Sequence, residues 1–400
     1  MTRRTTLALH ITAAAATTFC TSSLHAQPDN PAAAAPRNQP APPPITVPAT
    51  APTKPPAPEI SATTDETALT IQTAKDKIKD EQLGRCLGFY SARVGLLRRI
   101  EAELPALSNQ ARTTREAYEK HLGPGVAQLR SILLVRGPDR AQTLASIEKS
   151  VQDEVIKQRL DQAEIAKAFD NETLSPQSQA VRYIMPMLAF DPAQQKNPEL
   201  AWDAGFRATL TIPGTETTDP PVGSVLLPMN FDIISSTKQP VATTLAFAGI
   251  GPATITVGVS LNPLNLTAAD IIKQLKETQV PGTTLVESET TVTDSPFGPA
   301  ALVVMDVDLA AAGKATNNPA APPAKGRITN YFVTTKTHIV SIATEVHALE
   351  GPNQAERLKA LHEKFEPLFA RVRKGLTINP PKAPQPPTPT STPSTPPAKP

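Results

Sequence analysis

The hydrophobic period of this chain changes once, near Trp202, and that change limits what it can fold into. Before it, Leu83, Leu87, Tyr90, Val94, Leu97 and Leu104 recur at steps of three and four, with Glu101 filling the gap. That spacing keeps one stripe on one face of a helix. After it, Phe206, Ala208, Leu210 and Ile212 alternate with Arg207, Thr209 and Thr211, the period of a half-buried strand. Helices followed by neighbouring strands spell an α+β chain: an N-terminal antiparallel helical bundle, then a mainly antiparallel sheet covered by helices.

Within the helical part, assigned to residues 65–175, Pro105 interrupts the first stripe. Gly123-Pro124-Gly125 and Gly137-Pro138-Asp139 read as turns, with Asp139 as an N-cap. A last long helix then carries Leu144, Ile147, Val151, Val155, Ile165 and Phe169. Three or four antiparallel helices satisfy this pattern. Residues 61–180 hold 17 basic and 17 acidic side chains, interleaved as on a solvated bundle surface rather than gathered into a patch. Gly84, Gly88 and Gly95 lie along one side of the first helix. Each costs up to about 1 kcal/mol against Ala in a helix, so they predict close approach of another helix, most simply one of the same chain.

Residues 176–200 read as a connector. Beyond it, β-rich runs cover 206–212, 225–234, 243–248 and 253–261, and Thr267-Ala268-Ala269-Asp270 opens a helix to about Thr278. Strands resume at 284–293 and 300–309, an Ala/Pro-rich surface loop spans 310–325, and 327–335 and 338–346 form a hairpin about Lys336-Thr337. A closing helix from Asn353 presents Leu358, Leu361, Phe365, Phe369 and Val372, with Pro367 to bend it and Leu376-Thr377-Ile378 as an edge strand. This order of elements, with Ser295-Pro296-Phe297-Gly298-Pro299-Ala300 before a strand, Tyr331-Phe332-Val333 in the hairpin and Gly375-Leu376-Thr377-Ile378 at the end, resembles the PsbP-like family of α/β/α sandwiches over residues 201–379. The 310–325 loop departs from a compact version. The resemblance implies an accessory or binding module, with no shared catalytic residue to carry across.

The two ends have a composition of their own. Twelve of the 44 prolines fall between Pro28 and Pro58 and ten between Pro380 and Pro400. Segments 27–64 and 380–400 therefore read as disordered, Pro-rich arms, spacers that favour polyproline II. Residues 1–26 read as a signal peptide: Arg3 and Arg4, an apolar stretch from Leu7 to Phe19, then Leu24-His25-Ala26 before a cut at Gln27. Thr6 stands where a twin-arginine signal carries a hydrophobic residue, and Phe19 is large for a lipoprotein site at Cys20, so Sec export to the periplasm or medium is the expectation. Without Arg3 and Arg4 the chain has 37 basic and 37 acidic side chains, which argues against a nucleic-acid partner. No other stretch approaches the roughly 20 apolar residues of a membrane span.

Candidate chemistry is sparse. After cleavage Cys86 is the only cysteine, in an oxidising compartment. It is a packed thiol or a site for an intermolecular disulfide, which leaves a dimer open. His121, His338, His347 and His362 include no i,i+4 pair for zinc. His362 and Glu366 share a helix face, as a surface hydrogen bond or ion pair. Asp306 and Asp308 share a strand face, where paired carboxylates could bind calcium or share a proton, although Met305, Val307 and Leu309 opposite them point to a plain solvent side. Gly223-Ser224-Val225 lacks the second glycine of a nucleophile elbow, and Gly249-Ile250-Gly251-Pro252 and Gly313-Lys314-Ala315 do not form a phosphate loop. No catalytic, cofactor or metal residue is therefore assigned. The expectation is an exported, non-enzymatic accessory or binding protein for a protein or envelope component. The alternative is a small-ligand-binding protein or hydrolase, its site between the two domains, drawing on Asp306, Asp308, His338 or His347.

Overall fold

The computed structural model describes residues 65–379 apart from 179–180, 216–218, 240, 279–280 and 316–323. Residues 1–26, read as a signal peptide, and the Pro-rich segments 27–64 and 380–400 lie outside the described residues. The chain is α+β, with every described strand pairing antiparallel.

The helical half opens with α1 (Glu66–Lys77), capped by Asp65, whose side chain accepts from the Thr67 N–H at 2.9 Å. Next come α2 (Asp80–Glu103) and α3 (Ser108–Val135), joined by a 3-10 turn at Pro105–Leu107. Here Pro105 does break the stripe. Leu83, Leu87, Val94, Leu97 and Ile100 of α2 are buried against Tyr118, Leu122, Val126 and Leu129 of α3. The reading of Gly123-Pro124-Gly125 as a turn is overturned, since all three lie inside α3. A Cβ on Gly125 would overlap the Met187 carbonyl oxygen. That glycine serves close approach of another helix's backbone, not chain reversal.

Gly137-Pro138-Asp139 is a true turn into α4 (Arg140–Lys157), but Asp139 makes no side-chain capping bond. The single long last helix is also overturned. The chain breaks at Gln158 and restarts at α5 (Gln162–Asp170), where Asp161 accepts from the N–H groups of Ala163 and Glu164. Arginines close two of these helices from outside. Arg99 donates to the carbonyls of Val155, Ile156 and Gln158, and Arg136 to those of Lys75 and Ile78, satisfying acceptors that a helix end leaves open.

The stretch 176–200 is not a passive connector. It holds α6 (Val181–Ala189), α7 (Pro192–Lys196) and the start of α8 (Leu200–Asp203). Ile184, Met187, Leu188 and Phe190 are fully buried in the helical core, which continues through Ala201 to Phe206 and Met229. Trp202 instead joins the core of the sheet half, so the two cores abut within a few residues of chain.

A small sheet takes the order β1 (Arg207–Ile212), β2 (Gly223–Pro228) and β11 (Leu376–Ile378). The 225–234 run is therefore two strands in two sheets, because the chain turns at Met229-Asn230. The large sheet runs β3 (Phe231–Gln239), β4 (Ala242–Gly249), β5 (Ala253–Leu261), β10 (His338–Leu349), β9 (Ala324–Thr334), β8 (Gly298–Asp308) and β6 (Thr283–Leu285), with β7 (Thr291–Ser295) also on β8. The 284–293 run divides into β6 and β7 around a 3-10 turn. α9 (Ala268–Glu277) starts in a capping box between Thr267 and Asp270. The 310–325 stretch is only partly a loop: α10 covers Leu309–Ala315, and Ala324 and Lys325 already belong to β9. α11 (Gln354–Lys374) keeps Pro367 inside it.

Strand alternation assigns the two faces. Ile255, Val257, Tyr331, Val333, Val340, Ile342 and Val346 pack under Leu358, Leu361, Phe365, Leu368, Phe369 and Val372 of α11. On the reverse face, Ile271 and Leu275 of α9 meet Ala301, Val303, Met305 and Phe332.

Candidate functional site

The residues singled out from the sequence do not converge. Asp306 stands opposite Arg327, which stands opposite Val346, whereas His338 begins β10. Eight residues of extended strand separate His338 from Val346, roughly 27 Å, far beyond hydrogen-bond reach. His347 lies on the opposite face from Asp306, since Val346 beside it packs under α11. Each residue has a local role. Arg327 grips Asp306 with Nε at 2.7 Å and Nη2 at 2.9 Å, and Asp308 accepts from the Ala311 N–H at 2.9 Å at the start of α10. His338 Nδ1 is 2.9 Å from the Thr337 hydroxyl. His347 is enclosed, and burial pushes its pKa down to about 4. His362 is not on the surface as expected: its Nε2 faces Thr329 Oγ1 of β9 at 3.2 Å and Glu366 at 3.9 Å. Burial lowers its pKa, with Glu366 pulling the other way. Cys86 is 4% exposed, and burial raises its thiol to about 11. A disulfide between copies would require the helical core to open. Gly84, Gly88 and Gly95 face Ile147, Val151 and Val155 of α4, an intramolecular partner.

What the fold does bring together is the junction of its halves, from residues the sequence did not mark. α1 is latched to the sheet half. Glu66, 3% exposed, accepts from the Leu349 N–H at 2.8 Å and pairs with Arg357, which also donates to the carbonyls of Leu349 at 2.7 Å and Pro352 at 3.1 Å. Desolvation raises the Glu66 pKa, opposed by the Leu349 N–H and by Arg357. Lys364 donates to both oxygens of Asp65, at 3.2 and 3.1 Å. A glutamate in a first helical turn looks ordinary in sequence, and nothing there announces a partner almost 300 residues away.

An open groove of about 440 Å³ also lies at this junction. Gln110 and Thr114 line it from the start of α3, Phe169 and Glu172 from the end of α5, and Ala204, Gly205 and Arg207 from the lead into β1. Gln177 ties the last two segments by donating to the Ala204 carbonyl at 3.0 Å. Two backbone positions shape the groove. Gly205 takes φ +85°, and Glu172 takes φ +58°, the left-handed conformation usually given to glycine after a helix. Both Glu172 and Arg207 are exposed, and the Arg207 guanidinium lies 5.8 Å from the centre of the Trp202 ring. The groove thus presents a carboxylate, a guanidinium, side-chain amides and hydroxyls beside Phe169.

Among the described residues, no helix is long and apolar enough to cross a membrane, and no group of three or more His, Cys, Asp or Glu is placed to hold a metal ion. No protein-family model matches this chain, and no curated protein matches its sequence.

Proposed function

We propose that this chain is an exported, non-enzymatic accessory or binding protein, and that its working surface is the groove at the junction of its halves. The groove itself carries the reading. It is open, and it offers hydrogen-bonding groups of both kinds together with one exposed charge of each sign. That surface suits an extended polar segment of a protein or envelope component better than a compact apolar ligand, which binds in an enclosed apolar pocket. The resemblance of residues 201–379 to PsbP-like accessory modules points the same way, and the Pro-rich arms would give the module reach.

The test is site-specific photocrosslinking in the host envelope. A benzophenone side chain in place of Gln110 or Glu172 should give one discrete adduct, absent when it replaces Lys149 on α4, and Thr114→Trp should abolish that adduct by filling the groove. Equal labelling from Gln110 and Lys149 would sink the reading. So would a turnover activity lost on mutating the groove.

A further inference from the structure

The groove opens onto the free edge of a sheet. Arg207, which lines it, is also the first residue of β1, and β1 pairs only with β2. The register fixes which backbone groups that leaves over. The Met229 N–H donates to the Phe206 carbonyl, and the ladder continues with Ala208 opposite Leu227 and Leu210 opposite Val225. In an antiparallel pair the bonds to one neighbour fall on alternate residues. Ala208, Leu210 and Ile212 therefore bond to β2, while Arg207, Thr209 and Thr211 turn their backbone groups outward. The Arg207 N–H folds back to the Gly205 carbonyl at 2.8 Å. The Arg207 carbonyl and both backbone groups of Thr209 and Thr211 have no backbone partner among the described residues.

Folded chains commonly blunt such an edge with a bulge, a lysine, a proline or a very short strand, and the other edges here are treated that way. β3 carries a bulge between Ile233 and Ser235 and Lys238 near its end. The far edge of the large sheet is divided between β6 and β7, and β11 has three residues. β1 has six residues, an unshifted register and neither lysine nor proline. Its side chains describe the occupant. Ala208 and Leu210 are half-buried at the margins of the two cores, and Arg207, Thr209 and Thr211 are exposed on the other face. Arg207 lies against Trp202 and forms no ion pair among the described residues. We propose that a partner polypeptide enters the groove extended and continues along β1 as a fourth strand of the small sheet. Its apolar side chains would lie beside Ala208 and Leu210, and an acidic one beside Arg207. The inference rests on the groove reading above and narrows its partner to a polypeptide, because a peptide backbone repeats a donor and an acceptor at the strand rise of about 3.3 Å per residue and a glycan does not.

The test places the benzophenone at Thr211, on the exposed face of β1, in parallel with the Gln110 probe, in the full chain in the host envelope. Both positions should capture the same protein. Thr209→Pro removes an outward N–H and no bond to β2, a change that edge strands tolerate. It should lower both adducts about tenfold or more and move the melting temperature by no more than about 2 °C. Thr209→Val keeps the amide and should leave both adducts at the parent level. A Gln110 adduct without a Thr211 adduct, or adducts undiminished in a folded Thr209→Pro chain, overturns the added strand and leaves the groove reading standing. No adduct from either position overturns both. A Thr211 adduct between two copies of this chain overturns the proposal as well. Should Thr209→Pro fail to fold, amide exchange in the Gln110 adduct decides. Thr209 and Thr211 should exchange about tenfold more slowly, or slower still, than in the free chain, with Leu210, already bonded to β2, unchanged. Equal rates at Thr209 and Thr211 in adduct and free chain overturn the strand.

Discussion

Both halves pack on apolar cores, but the long helices of the first also meet across glycines, whereas the strands of the second also hold polar side chains inside. Gly84 of α2 lies tight against Ile147 of α4, Gly88 and Gly95 face α4 with room for a methyl group, and Gly125 of α3 admits the backbone of α6. In the sheet half, Thr254, Thr256, Thr329, Asn330, Thr344, Glu345 and His347 are all buried in strands, and Glu345 accepts from Thr254 at 3.4 Å. The difference teaches where each half is vulnerable. A glycine held against backbone, as Gly125 is, is a matter of shape, indifferent to pH and sensitive to one methyl group. Buried polar groups tolerate small changes of shape and respond to loss of a partner or to a proton.

The largest expected effect comes from Gly125→Ala. The added methyl meets a backbone carbonyl at Met187, which cannot swing aside as a flexible side chain would. Overpacking normally costs about 1–3 kcal/mol; against rigid backbone the loss should exceed about 4 kcal/mol, or the chain should fail to fold. Denaturant unfolding measures it. A loss below about 1 kcal/mol would mean that α6 does not dock where Gly125 admits it.

The latch between the halves comes second. Glu66→Ala leaves Arg357 buried with only its two carbonyl acceptors, and removing one partner of a buried ion pair costs about 3–5 kcal/mol. The expected loss is near the lower figure, with faster amide exchange along α1. The paired replacement Glu66→Leu with Arg357→Met should recover most of it, because burying both charges carries its own desolvation cost. If the two single losses simply add in the double variant, the groups do not interact as described.

His347 tests the polar character of the sheet half through pH. Its pKa is about 4 when folded and near the ordinary 6.5 when unfolded. The unfolded chain therefore takes up a proton first as pH falls. The stability that the neutral ring contributes is fully present above about pH 6.5 and is lost progressively down to about pH 4, a loss of roughly 3 kcal/mol. His347→Gln should flatten that part of the stability profile relative to the parent chain, even if it lowers the plateau. Parallel profiles would show that His347 takes up its proton in the folded state as readily as in the unfolded chain.

The same contrast explains what was legible in the sequence. Periodicity located the first stripe, the strands from Arg207 onward and the helix under Phe365 and Phe369, because one-sided burial imprints a period on neighbouring residues. It did not distinguish a glycine that turns the chain from one that admits a neighbour. Gly123-Pro124-Gly125 and Gly137-Pro138-Asp139 both read as Gly/Pro punctuation, yet the first lies inside α3, where Gly125 meets the distant Met187, and the second turns the chain. Nor could it anticipate the junction. Glu66, beside Asp65, and Arg357, beside Glu356, are ordinary charges in the first turns of their helices. Their association depends on how two cores abut, and that information lies in no local window. His362 shows the intermediate case: its helix face was correct, but whether that face met water or Thr329 depended on the sheet beneath it.

The smallest effect is the sharpest check on the glycine account, since it has the opposite sign. A Cβ on Gly88 would lie 3.7 Å from Val151 Cγ2 and 3.8 Å from Ile147 Cγ2, ordinary van der Waals contact. Gly88→Ala should therefore keep the packing and gain helix propensity, stabilising the chain by about 0.5–1 kcal/mol and raising its melting point by roughly 1–3 °C. At Gly84 the methyl would stand 3.2 Å from the Ile147 Cδ1, a mobile side-chain end whose small displacement offsets much of that gain. The expected order is Gly88→Ala above Gly84→Ala, with Gly125→Ala far below both. Propensity alone would make all three favourable and nearly equal. A Gly88→Ala variant that loses more than about 1 kcal/mol would place α4 closer to α2 than the packing described here, and the stripe along α2 would then depend on backbone contact throughout, as α3 does at Gly125.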